Sequence, residues 1–420
     1  MGKTAIIGQG YVGLPLAIGL ANAENQELIL GFDVFEKTVT NLNNGVSHID
    51  DISDAELATA ISRGYRATSN PADLGLVDTI IICVPTPLHE TGEPDLSYVV
   101  SATETIAANM AKGTLVVLES TTYPGTTEDL VRPIIEKAGF TLDEDFYLAF
   151  SPERIDPGNK KYKITNTPKI VGGASAESTR RSVKFYSQFI ETVVETVGTR
   201  EAETAKLLEN TYRHINIALI NEMAIFCQEL GIDIWEVVRL ASSKPYGFQA
   251  FYPGPGVGGH CIPVDPNYLS YEVKRRLGRP FRFIEMATDI NTSMPAYVVE
   301  RIQRILNDHS KALKGAKVLL LGITYKPDIA DLRESPSLEV VSLLREKNAD
   351  LRFFDPFVPT FKSHGDVLTG EPNLDDALAE ADIVVLLQNH AAYDLDDIQA
   401  KSKVVFDTRG KMTGANVVRL

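Results

Sequence analysis

Residues 3–20, KTAIIGQGYVGLPLAIGL, carry a short apolar strand through a glycine turn into a helical pattern. The next apolar run, ELILGFDVF, ends at Asp33, twenty residues after Gly13. Gly8-Gln9-Gly10-Tyr11-Val12-Gly13 fits G-x-G-x-x-G. The strand before it, the helix after it and the acidic residue at the next strand end are the context this spacing needs. In that context Gly8 permits the tight turn, Gly10 lets the backbone approach a pyrophosphate, and Gly13 allows close helix–strand packing. Aligned N–H groups at the helix start would hold the phosphates. Asp33 would accept from ribose hydroxyls and repel a 2′-phosphate, which favours NAD over NADP.

Further buried-strand runs follow: VDTIIICVPTP, GTLVVLESTT, FYLAFSPE and PKIVGG, mostly separated by helical segments. This alternation predicts a parallel sheet with helices on both faces over residues 1–200. REAETAKLLENTYRHINIALINEMAIFCQELGID then reads as one long helix with no Pro or Gly before Gly231, which can end it. Residues 201–305 stay helical apart from one loop, and form a natural spine and dimer surface. From about 315 the α/β pattern restarts in GAKVLLLGITYKP, ADLRFFDPF, ADIVVLLQNH and KVVFDTRG. The fold class is therefore α/β: two doubly wound parallel-sheet domains (1–200 and 306–420) joined by a central helical domain (201–305). The second sheet lacks the glycine fingerprint, so a different ligand is expected there. No short repeat or low-complexity segment interrupts the pattern.

Composition narrows the partners. The chain of 420 residues has a net charge of −15 and no basic run, a poor match for nucleic acid or anionic lipid. No apolar run is long enough to span a bilayer. The early first strand leaves no room for a signal peptide. Three cysteines, Cys83, Cys227 and Cys261, are too few for a disulfide framework and point to a reducing, cytoplasmic setting.

Ligands of open parallel sheets bind beyond the carboxyl ends of the strands. Thr86, Ser120 and Thr121, and Glu153 and Arg154 all fall there, with Glu153 the best general-base candidate among them. On the long helix, Lys206, Asn210 and Arg213 lie at i, i+4 and i+7, and Asn221 lies eight residues on, near the same face. Such a stripe among apolar residues must be paired or must face a cavity. The alternative is a solvated face with a Glu203–Lys206 surface pair.

The loop GPGVGGHCIPVDP (254–266) offers His260, Cys261 and Asp265. That is three metal ligands at most, with no second Cys/His cluster nearby, so a metal knuckle is disfavoured. A purely structural glycine loop remains a rival. The nucleophile reading rests on the chemistry of a thiolate, which nearby cations or aligned amides favour.

The motifs GQGYVGLPLA, ICVPTP, ESTTYPGTT, SPERIDPGN, AKLLENTYRHINIALINE, GPGVGGHCIPVDP and GITYKPDIADLRESPS resemble, nearly end to end, those of the UDP-glucose/GDP-mannose dehydrogenase family. The resemblance implies two Rossmann-like domains joined by a long dimer-forming helix, and NAD-dependent oxidation of a nucleotide-sugar C6 alcohol to a carboxylate. It implies Cys261 as nucleophile, and Lys206, Asn210, Asp265, Glu153 and Thr121 (or Thr122) as further catalytic residues. Gly8, Gly10, Tyr11, Val12, Gly13, Asp33, Pro85, Thr86, Thr121 and Arg333 would contact the cofactor. Glu153, Arg154, Ile155, Lys206, Asn210, Arg213, Tyr252, Gly258 and Lys326 would contact the sugar nucleotide. ESTTYPG carries one more residue before its proline than the KSTxPxG form of UDP-glucose enzymes, and Gly-His-Cys stands where those enzymes carry Gly-Ser-Cys. These departures match the amino-sugar branch. The implied substrate is UDP-N-acetylglucosamine, with UDP-N-acetylmannosamine and UDP-glucose as alternatives and surface polysaccharide as the destination. A single-step hydroxyacid dehydrogenase would share the fold without needing the cysteine. A non-catalytic NAD- or UDP-sugar-binding regulator would not need Cys261, Lys206 and Asn210 together.

Overall fold

The computed structural model describes residues 2–420 except 24–25, 50–51, 90–91, 156–158, 160 and 364. Part of SPERIDPGN therefore lies outside the described residues. Two compact units emerge, Met1–Glu209 with Asn267–Arg279, and Asn210–Pro266 with Pro280–Leu420. The long helix Thr199–Glu229 belongs to both, as does the helix Asp265–Leu277.

The first unit holds eight strands: β1 (Gly2–Ile7), β2 (Gln26–Phe32), β3 (Tyr65–Thr68), β4 (Thr79–Ile82), β5 (Thr114–Leu118), β6 (Phe146–Phe150), β7 (Lys169–Gly173) and β8 (Val193–Glu195). They form one sheet in the order β3-β2-β1-β4-β5-β6-β7-β8. The central strands are apolar throughout because both faces are covered. Successive residues point to opposite faces. Ile6, Ile81 and Val117 enter one core, while Ala5, Ile7, Ile80, Ile82 and Val116 enter the other.

All described pairings are parallel except β6–β7, which is antiparallel. The sequence pattern alone predicts a uniformly parallel sheet. A parallel return needs a crossover, usually a helix. Among its described residues, segment 151–168 contains no helix, so the chain comes back antiparallel. The helix Ala176–Tyr186 then restores a parallel β7–β8 pair.

In the second unit β9 (Lys317–Leu321), β10 (Asp350–Phe354), β13 (Ile383–Leu386), β14 (Val405–Asp407) and β15 (Val417–Arg419) form a parallel sheet in the order β10-β9-β13-β14-β15. β11 (Thr360–Ser363) and β12 (Asp366–Thr369) form a separate hairpin. Val318, Leu320, Ile383 and Val385 face one core, and Leu319, Leu321, Val384 and Leu386 the other. Among the described residues no helix is long and apolar enough to cross a membrane.

The first turns of the two sheets share one geometry. Gly8 N–H donates to Phe32 O at 2.9 Å, and Gly322 N–H to Phe354 O at 3.0 Å. The N–H groups of Gln9 and Phe35 donate to Asp33, each at 3.0 Å, and those of Ile323 and Phe357 donate to Asp355 at 2.8 and 2.9 Å. Gly8 and Gly322 have φ of +89° and +74°, and a Cβ on either would meet a backbone oxygen (Cys83 O at 2.6 Å, Gln388 O at 2.5 Å).

Gly315 has a similar φ of +77°, but a Cβ there meets open space. Gly315→Ala should therefore cost about 1–2 kcal/mol, the left-handed penalty alone. Gly322→Ala should cost more, by about 1–3 kcal/mol, because the clash is with backbone. Urea midpoints of the two variants test this. Equal midpoints would show that the tight approach to Gln388 is not there.

Candidate active site

The glycine turn of the first unit has the space a dinucleotide requires. A Cβ on Gly13 would lie 1.8 Å from Gly8 O and 3.2 Å from Ile6 Cγ2, so only glycine lets the helix start this close to β1. A Cβ on Gly10 would meet nothing within 4 Å, which leaves that backbone open to a ligand. The helix Gly13–Ala21 has no side-chain cap and no acidic residue in its first turn. Its leading N–H groups are thus not taken by a side chain and suit a pyrophosphate. Tyr11 is exposed and Val12 half-buried beside the turn. Asp33, half-buried, accepts one backbone N–H on each oxygen and keeps lone pairs for a ribose. These residues fit NAD. In the second unit the matching Asp355 is sealed instead: His390 lies 3.1 Å from its Oδ2, and both side chains are fully buried.

The carboxyl ends of β4, β5 and β6 hold the other first-unit candidates. Pro85 is exposed and Thr86 half-buried, and Thr86 O accepts from the Tyr268 hydroxyl at 2.7 Å. Ser120 is committed to the backbone, donating to Val84 O at 2.7 Å. Thr121 is half-buried, whereas Thr122 is buried with its hydroxyl donating to Thr126. Glu153 is pinned by the N–H groups of Arg154 at 2.6 Å and Ile155 at 2.5 Å, both on Oε1. Burial pushes its carboxyl up, but the Lys169 charge and hydrogen bond, the Ile155 N–H and the Lys206 charge outweigh this and hold it below the usual range. Arg154 forks onto Glu209 at 2.6 and 3.3 Å, and Ile155 is half-buried beside it. Lys206 is half-buried, one helical turn before Asn210.

The second unit gathers a separate group around the cysteine loop. Asn210 and Asp265 are buried, and the Asn210 amide donates to Asp265 Oδ2. Arg213, exposed, donates to Asn210 Oδ1. Asp265 N–H donates to Cys261 O at 2.9 Å, which ties the thiol's backbone to that buried pair. Cys261 is the exposed cysteine of the three; Cys83 and Cys227 are buried. Gly259 N–H donates to Arg333 O at 3.2 Å, and a Cβ on Gly258 would meet Glu334 O at 2.6 Å. The loop is thus laid directly on the segment that carries Lys326 and Arg333. Lys326 is half-buried, and Arg333 pairs with Asp331 at 2.5 Å. Tyr252 is exposed and stacks on Trp235 with centroids 6.1 Å apart. Among the described residues, no group of three or more His, Cys, Asp or Glu could hold a metal ion.

Glu203 is not at the surface, so the Glu203–Lys206 surface pair of the solvated-face alternative is absent, although Arg213 of the stripe is exposed. Glu203 is fully buried and accepts from the N–H groups of Gly125 and Thr127 at 2.5 and 2.9 Å, and from the Thr127 hydroxyl at 2.7 Å. Burial pushes it up to about 7 against those bonds and the Arg200 charge. Asn221 accepts from Gly254 N–H at 3.0 Å and donates to Asn291 at 2.9 Å, so it anchors the start of the glycine loop. Sequence reasoning also passed over Glu119 and Lys169. Their signal was present as a charge inside two otherwise apolar strand runs, LVVLE and PKIVGG.

Comparison with known proteins agrees with this reading. The UDP-glucose/GDP-mannose dehydrogenase family's NAD binding domain matches residues 2–190, its central domain 200–293 and its UDP binding domain 319–414. The chain is 36% identical to the UDP-N-acetyl-D-glucosamine 6-dehydrogenase of Pseudomonas aeruginosa, over 93% of this chain and 88% of that one. It is 35% identical to the UDP-N-acetyl-D-mannosamine dehydrogenase of Methanococcus maripaludis, over 97% and 92%. The solved UDP-D-ManNAc dehydrogenase of Pyrococcus horikoshii superposes with a TM-score of 0.89 at 32% identity, covering 99% of this chain and 98% of that one. The chain therefore belongs to the UDP-glucose/GDP-mannose dehydrogenase family, as an NAD-dependent nucleotide-sugar dehydrogenase.

Proposed function

We propose that this enzyme of the amino-sugar branch oxidises the C6 hydroxyl of UDP-N-acetylglucosamine to the carboxylate, with Cys261 as nucleophile. The observation that carries this is the Cys261 loop: the exposed thiol among three cysteines is backbone-tied to the buried Asn210–Asp265 pair. UDP-N-acetylmannosamine is the second reading, favoured by the Pyrococcus likeness. The two sugars differ only in configuration at C2.

When bound, NAD supplies the hydride acceptor for both oxidations at C6. Gly8, Gly10, Tyr11, Val12, Gly13, Asp33, Pro85, Thr86, Thr121 and Arg333 hold it in this reading. The half-buried Thr121 takes the active-site threonine role, because Thr122 is engaged with Thr126. The Cys261 thiolate adds to the C6 aldehyde, so the aldehyde stays covalently held until the acid level is reached. Lys206 and Asn210, one turn apart on one helix, stabilise the developing C6 oxyanion. Glu153 takes a proton from the water that hydrolyses the thioester, with Asp265 as the alternative base. Arg154, Ile155, Arg213, Tyr252, Gly258 and Lys326 hold the sugar nucleotide.

Residues 1–200 act as the NAD domain, 201–305 as the central domain and 306–420 as the UDP-sugar domain. Exposed Tyr212, Leu219, Met223 and Phe226 on the long helix support a homodimer seated on that face. The absence of disulfides among the described residues supports a cytoplasmic enzyme. An acidic nucleotide sugar suits surface-polysaccharide assembly.

Three outcomes test these assignments. A panel of UDP-GlcNAc, UDP-ManNAc, UDP-GalNAc and UDP-glucose should give two NADH per sugar consumed, with UDP-GlcNAc fastest; one NADH per sugar would sink the four-electron reaction. Cys261→Ser should cut uronate formation by roughly 10³-fold or more while keeping NAD affinity and thermal midpoint; undiminished acid formation would end the nucleophile role. Gly10→Ala should change stability by less than about 1 kcal/mol, since its Cβ meets open space, yet raise the NAD dissociation constant by about tenfold or more. Unchanged NAD titration would remove Gly10 from the cofactor site.

A further inference from the structure

Behind Glu153 lies a buried polar chain that the reaction above does not use. Lys169, at the start of β7, is 4% exposed, Glu119 1% and Tyr186 0%. Lys169 Nζ stands 2.8 Å from Glu119 Oε2 and 3.0 Å from Glu153 Oε2. The Tyr186 hydroxyl donates to Glu119 Oε1. One ammonium thus serves two carboxylates in a dry setting, where each uncompensated charge is costly. Apolar residues of similar volume would satisfy a sheet core equally well. The arrangement calls for a reason beyond packing.

We propose that Lys169 and Glu119 are positioning residues that keep Glu153 ionised, oriented and able to take up one proton, the two carboxylates sharing a single cation. The proposal rests on Glu153 as the base of thioester hydrolysis. In that step the water oxygen bonds to the thioester carbon, one water proton passes to Glu153, and the carbon–sulfur bond breaks to release the Cys261 thiolate. Once Glu153 is neutral, Lys169 remains paired with Glu119, so no buried cation is stranded. While Glu153 is ionised, the excess negative charge falls on Glu119.

The groups facing this chain agree with that division. Around Glu119 stand Lys169, Glu153, Tyr186 and Cys83; burial pushes Glu119 up, Lys169 counters it, and it settles at about 7. Around Glu153 stand Lys169, Lys206, Glu119 and the Arg154 and Ile155 N–H groups, and its carboxyl is held low. Lys169 is held charged, since its two carboxylates outweigh the burial that opposes its charge. A base of depressed pKa is active above that pKa and lost as pH falls through it.

The experiment is the pH dependence of uronate release, by chemical quench, in wild type, Glu119→Gln, Lys169→Met, Lys169→Arg and Glu153→Gln, each with thermal midpoint and NAD titration. Glu119→Gln removes the competing negative charge and keeps a partner for Tyr186. The step that Glu119's own proton puts into the wild-type profile near pH 7 should vanish, while the acid limb, where Glu119 is already neutral, should stay in place. Lys169→Met should move the limb to higher pH, and Lys169→Arg should return it towards wild type. A pH profile identical to wild type in folded Glu119→Gln overturns the proposal even if Lys169→Met fails to fold. Wild-type uronate release in Glu153→Gln would instead overturn the base assignment itself. Loss of release there, with the Glu119→Gln profile identical to wild type, would leave the base standing and remove only the shared-cation role.

Discussion

An uncompensated buried polar group is costly, and the long helix Thr199–Glu229 supplies partners for several of them. At 31 residues it runs about 46 Å at 1.5 Å per residue. Within the first unit Glu203 fastens the Gly125–Thr127 turn, and Glu209 takes the Arg154 fork. Within the second, Asn210 holds Asp265 and Asn221 holds the start of the glycine loop. His214, buried beside Thr288 and Asn291, is depressed to about 4 by desolvation and stays neutral. One helix thereby holds the backbone of two loops that carry candidate chemistry and the side chains of Arg154 and Asp265. Replacing Glu203, Asn210 or Asn221 would leave a buried donor or acceptor unmatched, at about 1–3 kcal/mol each.

The two sheets show how one turn geometry is turned to different uses. Both end their first strand at a left-handed glycine and their second at an aspartate that accepts two backbone N–H groups. Asp33 remains half-open. Asp355 is covered by His390, with Phe357 packed against that imidazole at a centroid distance of 5.0 Å. The first arrangement suits a ribose hydroxyl. The second spends the carboxylate internally, which agrees with a different ligand for the UDP binding domain.

The buried Glu203 and Glu119 and the half-buried Glu153, near the candidate chemistry, illustrate how partners decide protonation. Glu203, bonded to neutral donors, is pushed up to about 7 by burial. Glu119 is equally dry and reaches about 7 despite Lys169, because it shares that cation. Glu153 meets the same lysine, two backbone N–H groups and the field of Lys206, and stays low. A net charge of −15 says nothing about these differences. They arise within a few ångströms of each group.

Patterns with short sequence range were legible in advance. The glycine turn and Asp33 stand within one strand–helix–strand unit, the long helix announces itself by length and Gly231, and the family motifs name Cys261, Lys206 and Asn210. The short strands β3, β8 and β15 and the antiparallel β6–β7 pair were not, since short or half-polar segments acquire strand character only from their neighbours. Glu119 and Lys169, fifty residues apart, read as isolated charges until the sheet sets them side by side. The same holds for Asn210 with Asp265 and for Asn221 with Gly254. The sequence by itself determined the periodicity, the glycine positions and the residue types available for chemistry, because these depend on local sterics and on which side chains can be buried. Tertiary structure alone decided which polar groups share a partner and which carboxylates hold a proton, because those follow from distance and desolvation.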